Sequence, residues 1–90
     1  MNQLPMIRCN DISYRQGFVE VAASIHSQHV NVEVWNVHPD QDISGLSRID
    51  KLASDKEIVA NTEIELSVSQ AEALIEALRK AVHIAMRGEA

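Results

Sequence analysis

A single cysteine, Cys9, leaves the chain without an internal disulfide, which excludes a stapled secreted fold and suits a reducing compartment. Three glycines supply no phosphate-cradling loop and no nucleophile elbow, and Cys9 has no histidine placed beside it by the pattern, so the chain is not expected to be an enzyme or to hold a cofactor. Aromatics are scarce too. Tyr14, Phe18 and Trp35 are the only three, so valine, isoleucine, leucine and alanine must fill the core and the placing of each aromatic is informative. No apolar run approaches the length of a membrane span, and residues 1–6 lack the basic start and apolar stretch of a signal peptide. The expected location is cytoplasmic, with no membrane partner. Basic residues are outnumbered, eight against thirteen acidic, and the net charge of −5 repels a phosphate backbone, which disfavours nucleic acid as a partner.

What is present fits one folded unit. Ninety residues bound the chain to one domain, 1–90, and 46% hydrophobic with 23% charged residues is a globular balance rather than a disordered or fibrous one. Between Phe18 and Val37, Val19, Val21, Ala23 and Ile25 alternate with Glu20, Ala22, Ser24 and His26, and Val30, Val32 and Val34 alternate with Asn31 and Glu33. The spacing predicts two half-buried strands. A two-residue turn at Ser27-Gln28 pairs Ile25 with Val30, Ala23 with Val32 and Val21 with Val34, and sets His26 opposite His29, with a four-residue loop in the same register as the alternative because Ser-Gln is not a preferred turn dipeptide. Ile12 and Tyr14 suggest a further short strand, and Met6 to Cys9 is ambiguous. Beyond His38-Pro39, residues 40–57 suggest a polar loop with a short helical turn carrying Ile43, Leu46, Ile49 and Leu52. Ile58 to Leu66 alternates as a third strand.

Ser67 followed by Gln70 is a capping-box pattern, and Ala71, Leu74, Ile75, Leu78, Val82 and Ala85 form the apolar stripe of a helix that Gly88 ends. Glu76 is spaced to pair with Lys80. The expected fold is therefore α+β, a small antiparallel sheet of three to four strands in β-β-β-α order, with one C-terminal amphipathic helix packed on one face. Burial of Leu74, Ile75, Leu78 and Val82 on the sheet would contribute roughly 1.5–3 kcal/mol each.

If the helix covers the valine side, Phe18, Trp35 and Val37 are left on the other. Two covers are open: Ile43, Leu46, Ile49 and Leu52 folding back within the chain, or a partner or second subunit, for which Trp and Phe are common anchors. The row Ala73, Ala77, Ala81 and Ile84 is small enough for a second helix to approach, which favours a homodimer. Residues 40–65 hold seven acidic residues against three basic, a segment suited to a basic partner. Asp40, Asp42, Glu63 and Glu65 join the aromatic patch as expected partner-binding residues.

His26 and His29 are candidate ligands for a metal or small molecule, although two imidazoles leave a zinc sphere incomplete. His38 would lie roughly 30 Å from His29 along straight strands, so it cannot complete the set within one chain. Arg79, Lys80, His83 and Arg87 are the one basic cluster and would carry any weak nucleic-acid binding, yet cations are favoured at a helix C-terminus without a ligand. The run from Glu63 to Ser67 followed by Gln70 to Leu74 resembles the strand-into-helix ending of many small bacterial and phage proteins. Together these features point to a non-enzymatic interaction module, a homodimeric bacterial or phage accessory or inhibitor protein that binds a protein partner.

Overall fold

The computed structural model describes residues 2–23, 25–47 and 57–88, and it is an α+β fold, an antiparallel sheet followed by one C-terminal helix. β1 (Asn2–Gln3), β2 (Ile7–Cys9), a 3-10 turn (Ser13–Arg15), β3 (Gly17–Ala23), β4 (His29–Val37), β5 (Ile58–Ser67) and α1 (Val68–Met86) follow in chain order. β1 and β2 share one edge of β3, so five strands occupy four positions, with β4 and β5 completing the sheet. Pro5 lies at the break between them, where a residue without a backbone N–H interrupts the ladder at least cost. Ile12 and Tyr14 are not strand residues; they lie exposed at the 3-10 turn.

The hairpin keeps its predicted faces but not its register. Ala23 pairs with Val30, Val21 with Val32, Val19 with Val34 and Phe18 with Trp35, two residues away from the expected alignment. A two-residue slip preserves which side every side chain faces, so alternation cannot distinguish the two alignments. The turn does. A two-residue I′ loop needs positive φ at both central positions, and only Gln28 adopts it, at 61°. The chain spends more residues between Ala23 and His29 and closes the connection by a bond from the His29 N–H to the His26 carbonyl (3.1 Å).

One side of the sheet, the valine face, carries Val19, Val21, Val30, Val32 and Val34, joined on β5 by Thr62, Ile64 and Leu66. The reverse face carries Phe18, Glu20, Ala22, Asn31, Glu33, Trp35 and Val37, with Asn61, Glu63 and Glu65. At the Asn36/Val37 step the β4–β5 register shifts, which brings Ile58 opposite Val37 on the reverse face and leaves Val59 exposed.

The core lies on the reverse face. Phe18, Val37 and Ile43 are the buried cluster, with Met6, Trp35 and Leu46 packed against it. The expected helix-on-sheet core is absent from the described residues. Leu74, Ile75, Leu78 and Val82 are 40–56% exposed and α1 has no buried residue, so the helix projects from the end of β5 instead of lying over the valines. Its boundaries are those the caps predict. Ser67 Oγ accepts the Gln70 N–H (3.2 Å), Gln70 Oε1 accepts the Ser67 N–H (2.8 Å), and Gly88 follows the last turn at a φ of 72°. Glu76 pairs with Arg79 (3.5 Å), one turn position short of the expected Lys80.

Candidate interaction surfaces

The reverse face is closed at one end by the chain itself. Residues 38–47 return across Phe18 and Val37, and Gln16 holds them there: its buried Nε2 donates to the carbonyls of His38 (2.8 Å) and Gln41 (2.7 Å). The Gln16 carbonyl also accepts the Val37 N–H (3.0 Å), and Arg8 Nη1 donates to the Leu46 carbonyl (2.8 Å). Phe18 and Val37, expected as an outward partner-binding patch with Trp35, are thereby 1% and 3% exposed. Of the two covers open to them, the intrachain one is found, supplied by Ile43 and Leu46; Ile49 and Leu52 lie outside the described residues. Trp35 is half-buried at the rim, its buried Nε1 without a hydrogen-bond partner among the described residues.

Beyond the loop the reverse face is acidic. Glu20, Glu33 and Glu63 stand side by side across β3, β4 and β5, one row of the sheet. Asn61 Nδ2 donates to Glu33 (3.0 Å) and Asn31 Nδ2 to Glu63 (2.9 Å). Burial holds the Glu33 carboxyl above its ordinary range. The Asn61 amide opposes that shift, while the charges of Glu63 and Glu20 and a hydrogen bond with the Glu20 carboxyl reinforce it. Glu65 is one row further on. Asp40 and Asp42 are exposed on the covering loop, and the Ser44 hydroxyl and N–H hold the Asp42 carboxyl below its ordinary range. Glu63 and Glu65 thus share the reverse face with Glu20 and Glu33, and Asp40 and Asp42 lie on the loop that closes its other end. Strand parity alone places Glu20 and Glu33 on the same side as Glu63, a signal present in the alternation from Val19 to Val34.

The histidines do not converge. His26 lies in the loop, where its Nδ1 meets the Glu65 carboxylate (2.5 Å), whereas the His29 Nδ1 donates to the Ser27 carbonyl (2.8 Å). The cross-strand pair expected of them required the tight turn that the chain does not make. Among the described residues no three His, Cys, Asp or Glu side chains are grouped as a metal site. At the basic end of α1, Arg79 is engaged by Glu76.

The opposite side is apolar and open. Val19, Val21, Val30, Val32, Val34 and Leu66 are half-buried and Ile64 is 58% exposed, with no charged side chain along these rows of β3, β4 and β5. The stripe of α1 is equally uncovered. Among the described residues no helix is long and apolar enough to cross a membrane. Neither a family model nor a curated protein nor a solved structure matches the chain.

Proposed function

We propose that the chain is a non-enzymatic protein-interaction module, which binds protein through the open apolar surface and turns its acidic side toward a partner with a basic surface. The observation that carries this reading is the bare stripe of α1: four aliphatic side chains, Leu74, Ile75, Leu78 and Val82, without cover on a well-capped helix. Contiguous apolar surface of this kind is costly in water and marks a place where protein meets protein. The polar groups on the reverse side support the same class of function. Gln16 and Arg8 hold the covering loop, and Asn31 and Asn61 hold carboxylates in place, which leaves a fixed acidic surface of Glu33, Glu63, Glu65, Asp40 and Asp42. A carboxylate array of this kind steers association with cationic surfaces, the form an inhibitor of a basic protein would take.

A photo-crosslinking amino acid placed at Leu78, in the stripe, tests the reading against one placed at Glu76, on the polar side of the same helix. Covalent adducts with protein, whether a second copy or another chain, are expected from position 78 and not from position 76. Equal absence of adducts at both positions would sink the reading.

A further inference from the structure

Resting on that reading, we infer that the occupant of the apolar surface is a second copy of this chain, joined by helix exchange: α1 of each copy lies on the valine face of the other. Three observations converge on this arrangement. The first is the connection. Ser67 is both the last residue of β5 and the N-cap of α1, so no residue separates strand from helix. Strand–helix connections that reverse direction ordinarily use about 2–6 residues. Without them, α1 cannot double back onto its own sheet unless the capping box opens, and the stripe and the valines of one chain stay apart.

The second is complementarity. The stripe and the valine face are both aliphatic and both uncharged. At 19 residues α1 is about 28 Å long, close to the roughly 30 Å of the nine-residue β4. Each surface is what the other lacks, so a two-fold axis satisfies both at once and leaves no open end for further copies. The apolar arc of α1 is also wider than one sheet contact needs. Ala73, Ala77, Ala81 and Ile84 flank the stripe and extend the arc to about 200°, more than half of the circumference. That leaves a row of small residues for the partner's α1.

The third is area. The chain exposes 6664 Å², whereas a folded monomer of this size exposes roughly 5,200 Å². Its radius of gyration is 14.5 Å against about 12 Å for a compact domain of 90 residues. The bare stripe of α1 and the open valine face are part of that excess, and obligate homodimers bury about 2,000–5,000 Å² per pair.

The test uses the full chain, with a photo-crosslinker at Leu78, grown in ordinary and in ¹⁵N medium and then mixed by unfolding and refolding. Exchange predicts the mass of two chains in solution and isotope-mixed peptides that join α1 to β4 or β5. Peptides of one isotope only, or a solution mass of one chain, would overturn it. Isotope-mixed joins from α1 to α1 alone would overturn the exchange while leaving the interaction reading intact. A second variant carries five Gly/Ser residues inserted between Leu66 and Ser67, which keeps the capping box and gives the helix room to turn back. It is expected to run as a monomer at concentrations where the parent is a dimer. An undiminished dimer would show that the short connection is not what drives association, and would overturn the proposal.

Discussion

At the scale of single residues, Gln16 has an influence that its type and position do not advertise. It is buried, both of its amide hydrogens are used, and what they hold is the loop that seals Phe18. Substitution by leucine strands two loop carbonyls, so Gln16→Leu is expected to cost about 1–3 kcal/mol, measured by urea denaturation, and to make the Trp35 emission redder as the cover loosens. An unchanged midpoint would show that the loop is held by Ile43 packing alone. Glu33 offers a second handle. Its folded carboxyl keeps its proton to higher pH than the 4.5 of an ordinary glutamate, so between those two values the folded state binds more protons than the unfolded. Its contribution to stability is therefore fully present below about pH 4.5 and is lost as pH rises through the raised value. Glu33→Gln mimics the protonated form and keeps an acceptor for Asn61. It is expected to flatten that part of the pH–stability profile and to be at least as stable as the parent at pH 7. A wild-type slope preserved in the variant would assign it to another group.

At the scale of elements, alternation and caps were legible and geometry between elements was not. The faces of β3, β4 and most of β5 follow from parity, and α1 starts and stops where Ser67, Gln70 and Gly88 dictate, because these signals act within a few residues. The hairpin register was not legible because a shift of two leaves parity untouched and the turn conformation at Gln28 has no strong marker in its residue type. Strict alternation from Leu66 back would put Ile58 on the valine face, but a bulge is a tertiary event, and the shift at Asn36/Val37 sets Ile58 opposite Val37 instead. The acidic side was half legible. Glu63 and Glu65 stood out as charges on one strand, while their row with Glu20 and Glu33 needs the strand order. The capping box gives this scale its prediction. Ser67→Ala removes the acceptor for the Gln70 N–H and is expected to cost about 0.5–2 kcal/mol, seen as lost helical circular dichroism before loss of the sheet. Loss of both in one transition of unchanged midpoint would mean that the cap is not limiting.

At the scale of the whole molecule, the position of α1 could not be inferred from its stripe. Amphipathicity says that a helix has an apolar side to cover, not which chain covers it, and a connection with no spare residues decides against its own sheet. The same reasoning separates two consequences of Leu78→Ala. If α1 lay on its own sheet, the substitution would cost about 2–5 kcal/mol at any protein concentration. With Leu78 56% exposed in the single chain, the cost should fall on association instead. The parent's stability should then rise by about 1.4 kcal/mol for each tenfold increase in protein concentration. Leu78→Ala should displace that line toward higher concentration without changing its slope, because the unfolded chain and the stoichiometry are the same. Denaturation midpoints measured over a hundredfold range of concentration check both statements. A midpoint independent of concentration, with the substitution equally costly throughout, would place the helix back on its own valines and the fold in a single chain.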